Sequence, residues 1–293
     1  MFKALRLACF LGVFLLVTTL GHLSVVYAYD QEKPENRTQL LNNNNEYSYV
    51  RIRTFGTAIG MYYDARVDGG WRTRQGVFKQ GGSGFVVKNG YILTAAHVVI
   101  PEMASVVSGK YSTDVRALYK VLKQIILVYH FSDTPFVATI HYLNPEYDIA
   151  ILRCDDGKDI LMPLPYPIEF KGVGIQELPM GYGTYVGIRT GDIVCTVVHD
   201  RDAEGDLSMS VHLEYGIVNA PEPTGKDNRT IAWFNPWDIT LSLSVRPGDS
   251  GSPLFAFDNG RPVIVGIVRA ASLTEPIGFA VLLPMVDRYL ELP

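Results

Sequence analysis

The feature that most constrains the fold is a recurring pattern of short apolar runs. From residue 47 onward, runs of about four to eight residues rich in β-branched and aromatic side chains, such as residues 57–63, alternate with Gly, Asn and Asp. Such runs are typical of strands joined by turns, and few stretches keep helical spacing. A Pro-rich connection divides them, with about six runs on each side. The sequence therefore predicts an all-β protein of two packed six-stranded antiparallel β-barrels, with a short C-terminal helix.

The N-terminal residues predict export. Lys3 and Arg6 precede an apolar run, and residues 26–28, Val-Tyr-Ala, have the small residues that a signal peptidase recognises. We therefore expect a periplasmic or extracellular protein, cleaved near Ala28. An uncleaved membrane anchor is the alternative, because the apolar segment is just long enough to span a bilayer. The expected segments are a signal peptide (1–28), a flexible leader (29–46), the N-terminal barrel (47–154), the inter-barrel connection (155–172), and the C-terminal barrel with the closing helix (173–293).

Composition excludes some classes of function. The sequence is 47% hydrophobic and 19% charged, which is typical of a globular protein with a full core. Its formal charge of −4, without a basic cluster, argues against nucleic acid as a partner, and we expect no membrane contact beyond the signal sequence. Only Cys154 and Cys195 follow the signal peptide, and two cysteines define no disulfide framework. We expect free, buried thiols, although pairing stays open.

A serine between two glycines is the first candidate for chemistry. The segment Gly-Asp-Ser-Gly at residues 248–251 centres on Ser250 and is followed closely by an apolar run. Small neighbours let the backbone turn sharply, leave the hydroxyl uncovered and free successive N–H groups to point at one spot, as an oxyanion hole requires. A tight turn between strands is the ordinary explanation of the same residues. Ser252 is the rival hydroxyl, but it precedes Pro253 and has no glycine after it.

Two more residues fit with this serine. The Asn89-Gly90 pair predicts a hairpin whose second strand runs into a short helical turn carrying His97. Asp148 lies at the start of a buried strand, where burying a carboxylate costs free energy unless a cation or a hydrogen-bond donor pairs with it. Taken alone, His97 is most simply a core histidine, and Asp148 is most simply a surface turn residue. Together with the serine they stand in the order His, Asp, Ser, one of the orders in which a catalytic triad occurs.

The sequence resembles the trypsin-like (chymotrypsin-fold) serine peptidases, and within them the exported bacterial HtrA-type branch. The resemblance spans roughly residues 57–286. HtrA-type proteins usually carry a PDZ domain after the protease; this sequence ends soon after its last expected strand, so we expect a protease domain without one. The residues that carry the resemblance are Gly-Ser-Gly-Phe-Val at 82–86, Ile-Leu-Thr-Ala-Ala-His at 92–97, Tyr-Asp-Ile-Ala-Ile-Leu at 147–152, Gly-Asp-Ser-Gly at 248–251 and Ile-Gly-Phe-Ala-Val at 277–281.

The resemblance implies a secreted serine endopeptidase that hydrolyses peptide bonds through an acyl-enzyme, without metal or cofactor. Ser250 would attack, His97 would act as base and then as acid, and Asp148 would orient the imidazole. The N–H groups of Gly248 and Ser250 would hold the oxyanion. The partner would be a protein or peptide substrate, and the oligomeric state stays open. The alternative is a catalytically silent protease-fold protein that binds peptides or partners.

The resemblance also implies a specificity pocket. Its residues would be Ser244, Ala270, Ala271 and Gly278. No carboxylate stands at its base, where Ser244 lies, so a preference for Lys or Arg is disfavoured and a small or medium apolar side chain is expected. Arg269 is expected at the rim or in a salt bridge.

Activation by cleavage is not expected. Digestive relatives are switched on when a new Ile-Val-Gly-Gly terminus pairs with the acid before the serine, and no such tetrapeptide occurs in this sequence. Asp249 must therefore find another partner, and no zymogen step of that kind is predicted.

Overall fold

The computed structural model describes most of the two barrels. The predicted signal peptide, leader and C-terminal helix lie outside the described residues. Within the described ranges, no helix is both long and apolar enough to cross a membrane. The described ranges are 48–63, 70–88, 90–100, 118–130, 134–145, 147–165, 176–177, 183–184, 191–201, 207–220, 238–258, 261–271 and 277–283.

The first six strands close into one barrel. All neighbouring strands pair antiparallel in the order β1-β2-β3-β6-β5-β4. One short helix, α1 (Ala96–Val99), follows the third strand directly. The strands are β1 (Tyr49–Tyr63), β2 (Trp71–Lys88), β3 (Tyr91–Ala95), β4 (Leu118–Tyr129), β5 (Phe136–Asn144) and β6 (Ile149–Arg153).

Six later strands close into a second barrel, in the order β10-β11-β14-β13-β12-β9. A separate two-stranded sheet, β7 (Gln176–Glu177) with β8 (Gly183–Thr184), precedes them. The prediction of two six-stranded antiparallel barrels is therefore confirmed. The barrel strands are β9 (Ile193–Arg201), β10 (Leu207–Ala220), β11 (Asp238–Leu241), β12 (Pro253–Asp258), β13 (Arg261–Ala271) and β14 (Gly278–Leu282).

The first strand begins at Tyr49 and ends with the apolar run at residues 57–63. Val50 and Ile52 are fully buried, whereas Arg51 and Arg53 alternate with them on the outer face. Strand β4 brings Tyr129 opposite Arg51, and both guanidinium groups lie over its ring, at 4.6 and 5.7 Å from the centroid. A strand with one buried face requires alternating apolar and polar residues. Because the two arginines take the polar positions, this part of the strand has no continuous apolar run.

The barrels meet at the turn that carries the candidate serine. In β2, the Ser83 N–H donates to the Ser250 carbonyl at 2.8 Å, and the Ser83 hydroxyl donates to the Gly248 carbonyl, also at 2.8 Å. Gly251 has a φ of 95°, and a Cβ there would collide with the Ser83 carbonyl and the Thr94 hydroxyl. A glycine is therefore required for this turn to seat against the first barrel.

Both described cysteines are free and buried, as the sequence predicts. Burial raises the pKa of the Cys154 thiol and of the Cys195 thiol above the ordinary value. Both therefore stay protonated near neutral pH and act as small apolar residues of the cores. The barrels rest on packing rather than on a cross-link between these thiols.

Candidate active site

Strand pairing places His97 beside Asp148. Helix α1 begins where β3 ends, and β6 begins just after Asp148; β3 and β6 pair with Ala95 opposite Ile149. The His97 N–H donates to Asp148 Oδ1 at 2.8 Å, and the ring Nδ1 lies 2.8 Å from Oδ2. The carboxylate thus holds both the backbone and the ring of the histidine. Because Oδ2 accepts only from a protonated Nδ1, a neutral ring would have Nε2 as its unprotonated, basic nitrogen.

The backbone at Asp148 is strained. Its φ of 55° is positive, and among the described residues no other non-glycine shares this feature. Such a conformation costs about 1–3 kcal/mol and persists where the surroundings fix it. Here the Ala96 N–H donates to the Asp148 carbonyl at 3.0 Å, and the Asp148 N–H donates to the Pro145 carbonyl at 3.4 Å. The strain accompanies the turn that aims the carboxylate at His97.

The Asp148 carboxyl is buried but ionised. Burial opposes ionisation, but the charge and hydrogen bonds of His97 and the charge of Arg269 outweigh it, so the pKa lies below its ordinary value of 3.8. Because the folded pKa is lowered, the ionised carboxyl stabilises the fold at neutral pH. That contribution is lost as the pH falls below 3.8 through the folded pKa.

Arg269 connects the carboxylate with the serine. Its side chain extends from β13, and Nε donates to Asp148 Oδ2 at 2.8 Å. Its main-chain oxygen accepts the hydroxyl of Ser250, also at 2.8 Å. The sequence-based prediction of a rim or salt-bridge residue is confirmed as a salt bridge, and the partner proves to be the candidate catalytic acid. The only sequence signal was an arginine that interrupts the apolar residues of this strand.

The turn around Ser250 is fixed from within. Gly248 has a φ of 107°, and the Asp249 N–H donates to the Arg246 carbonyl at 3.0 Å. The buried Asp249 carboxylate accepts the Arg246 N–H at 2.6 Å, which supplies the partner that the sequence left open. Within the described part of the chain, the N–H groups of Gly248 and Ser250 donate to no protein acceptor. Both remain available to a ligand oxygen.

The three candidate catalytic residues are joined in one chain of contacts. His97 and Asp148 touch directly, whereas Ser250 reaches them through Arg269. The Ser250 hydroxyl thus donates to a main-chain oxygen in this state instead of to the imidazole. The rival Ser252 has only 1% of its surface exposed, with its hydroxyl buried. It is out of reach of a substrate.

The segments expected to form the specificity pocket lie side by side. Strands β13 and β14 pair with Ala271 opposite Gly278 and Ala270 opposite Phe279. A Cβ on Gly278 would lie 2.8 Å from the Val245 side chain, so the stretch containing the exposed Ser244 packs against this glycine. Within the described ranges, no group of three or more His, Cys, Asp or Glu residues is arranged to hold a metal ion.

Comparison with known proteins identifies the class. The chain matches the Trypsin-like peptidase domain over residues 82–267, more than half of its length, and it therefore belongs to this family. This confirms the prediction of a trypsin-like peptidase. No curated protein matches the sequence significantly.

Solved structures of similar proteins include the Rv3671c protease from M. tuberculosis. The active form of that protease is 22% identical in sequence to this chain and has a TM-score of 0.45. The match covers 85% of this chain and 84% of the Rv3671c chain. The inactive form is 22% identical and has a TM-score of 0.48. That match covers 86% of this chain and 91% of the Rv3671c chain. The HtrA-type branch stays a prediction.

Proposed function

We propose that this protein is a serine endopeptidase in which Ser250 is the nucleophile, His97 the general base and Asp148 the residue that orients the base. The observation that carries the proposal is the double hydrogen bond from His97 to a buried, ionised carboxylate. This arrangement fixes the ring tautomer and favours the imidazolium that forms when a hydroxyl loses its proton. Membership of the trypsin-like peptidase family supports the same assignment.

The reaction begins with a change of partner for Ser250. Its hydroxyl, which donates to the Arg269 carbonyl at rest, leaves that oxygen and donates to Nε2 of His97. Oγ then attacks the scissile carbonyl as the proton passes to the imidazole. The carbonyl oxygen, now negative, is held by the N–H groups of Gly248 and Ser250. His97 gives the proton to the amine as the C–N bond breaks, which leaves the acyl group on Ser250. His97 then takes a proton from water as the water oxygen attacks the acyl carbon, and it returns that proton to Ser250 Oγ as the acid product leaves.

One observation favours the alternative, a silent protease-fold protein that binds peptides or partners. The Ser250 hydroxyl is held by a main-chain oxygen, and a silent protein could keep it there permanently. Nucleophilic reactivity separates the two functions, because only a hydroxyl that reaches a base attacks an activated phosphorus centre. The binding protein would leave such a reagent unconsumed.

We expect a fluorophosphonate to label the folded wild type once, at Ser250, as read by mass spectrometry of the peptides. Ser250→Ala should lose all labelling. Ser252→Ala is the matched control, because it removes a hydroxyl two residues away that is buried, and it should keep labelling. A folded wild type that stays unlabelled, or a label on another residue, would favour the silent protein.

The predicted preference for a small or medium apolar side chain before the scissile bond forms part of the same proposal. Its support is the uncharged character of Ser244, Ala270, Ala271 and Gly278, none of which would attract a cationic side chain. The assignment of these residues to a pocket stays a prediction.

Export of the protein is a second part of the proposal. The charged start, apolar run and small residues before position 29 support removal of residues 1–28. When the full chain is produced in a secreting host, we expect the mature protein to begin at Tyr29 and to be recovered outside the cytoplasm. Mass spectrometry of the intact protein measures this. A membrane-bound product that retains residues 1–28 would establish the anchored alternative.

A further inference from the structure

We propose that Arg269 is a positioning residue that extends catalysis to lower pH by sharing the Asp148 carboxylate with His97. The inference rests on the proposed function, and it concerns a residue outside the candidate triad. It starts from a contact in which a permanent cation and the proposed catalytic imidazole bind the same carboxylate oxygen.

The contact is close and shielded from solvent. Both Nε of Arg269 and Nδ1 of His97 lie 2.8 Å from Oδ2 of Asp148. The Arg269 side chain is 17% exposed and that of Asp148 is 7% exposed, so water screens their interaction weakly. Removing one member of a buried pair leaves an uncompensated charge. The pair is therefore a fixed part of the site and not a surface ion pair.

The sum of charges explains the effect on the base. With a carboxylate alone, protonation of His97 turns a net charge of about −1 into zero, which is favourable in a buried site. With the guanidinium present, the same step turns about zero into +1, which is less favourable. His97 therefore stays a neutral base at lower pH than it would beside an unshared carboxylate. The cost is weaker stabilisation of the imidazolium during the reaction.

The charged groups that act on the Asp148 carboxyl come from two elements. They are His97 from helix α1 and Arg269 from strand β13. Strand β6 begins after Asp148 with apolar residues, and strand β3, which pairs with it, has Leu93 and Ala95 in this region. Arg269 is therefore the one permanent cation, within the described part of the chain, that shares this carboxylate with the base.

The same residue also holds the nucleophile. The Arg269 carbonyl accepts the Ser250 hydroxyl, while its side chain is tied to Asp148. The ion pair thereby fixes the strand segment against which the serine rests. A residue with this arrangement positions both the acid and the serine without touching the reacting carbonyl.

The test is the pH dependence of kcat/KM for Arg269→Gln and Arg269→Lys. We expect Arg269→Gln to move the acid limb up by about one pH unit, because one nearby unit charge disappears from a weakly screened site. Arg269→Lys keeps the charge and should move the limb by less than half of that. Arg269→Met, which keeps the apolar stem and removes the charge, is the second neutral variant should the glutamine variant not fold.

Arg153→Gln is the matched control. It removes the same formal charge from the far end of β6, where the side chain is half exposed and paired with Asp155. It should leave the acid limb in place. If the neutral variants keep the wild-type acid limb while losing activity, Arg269 is a structural anchor only and the proposal is overturned.

A second readout does not need hydrolysis. In the Ser250→Ala background, the titration of His97 can be followed by NMR of its ring with and without Arg269→Gln. An upward shift of about one unit supports the inference even if the wild type proves to hydrolyse nothing, which would overturn the proposed function alone. An unchanged or downward-shifted titration overturns the inference whatever the activity.

Discussion

Replacing His97 with alanine is expected to lower kcat by about 10⁶-fold, measured over the same range of peptide concentrations as for the wild type. A serine hydroxyl is a poor nucleophile until a base takes its proton, and the proposed base is the His97 ring that Asp148 holds. The fold should survive, because His97 is partly exposed and lies in a single helical turn. Steady-state cleavage of a chromogenic peptide, with circular dichroism to check folding, measures the effect.

His141→Ala is the control for this variant. It also removes an imidazole, but from the exposed outer face of β5, where the ring packs edge-on against Tyr91. Its kcat should stay within about two-fold of wild type, since surface changes away from a site have small effects. A folded His97→Ala variant that keeps a tenth or more of the wild-type kcat would mean that another group is the base.

Replacing Asp148 with asparagine is expected to lower kcat by about 10⁴-fold. The amide keeps the size of the side chain but loses the charge that favours the imidazolium, and its NH₂ group would face Nδ1 and fix the wrong tautomer. Arg269 would also lose its anionic partner, so the variant should be less stable at neutral pH. Peptide cleavage and the free energy of unfolding in urea are the two measurements.

Asp155→Asn is matched to this variant. It neutralises a carboxylate that also pairs with an arginine, but that pair is exposed and far less desolvated. Both its kcat and its stability should stay close to wild type. If Asp148→Asn costs less than about ten-fold in kcat while the control behaves as expected, the carboxylate does not orient the base.

Much of the architecture follows from local rules. Runs of β-branched residues separated by turn residues predict twelve barrel strands. The Asn-Gly sequence at residues 89–90 predicts a tight turn, and Gly90 has the positive φ of 77° that such a turn needs. The contact between His97 and Asp148 also follows, because a buried acid needs a donor and the helical turn after the hairpin of β2 and β3 offers one. Strand β1 begins at Tyr49, and Arg51 and Arg53 interrupt the apolar pattern near its start.

The rest of the site depends on tertiary placement. Nothing in the sequence says that β13 passes close enough for Arg269 to reach Asp148, since that depends on how two barrels close against each other. The positive φ of Asp148 is equally hidden, because aspartate is compatible with many conformations and only the packed turn selects this one. The resting partner of Ser250 likewise follows from the path of the β13 main chain.

The most direct test of the account is a crystal structure of the wild type after reaction with a fluorophosphonate. We expect phosphorus bonded to Ser250 Oγ, a phosphoryl oxygen about 3 Å from the N–H groups of Gly248 and Ser250, and His97 Nε2 within about 3.2 Å of Oγ. An adduct in which the imidazole lies beyond hydrogen-bond reach of Oγ, with the Gly248 and Ser250 N–H groups turned away from the phosphoryl oxygen, would contradict it.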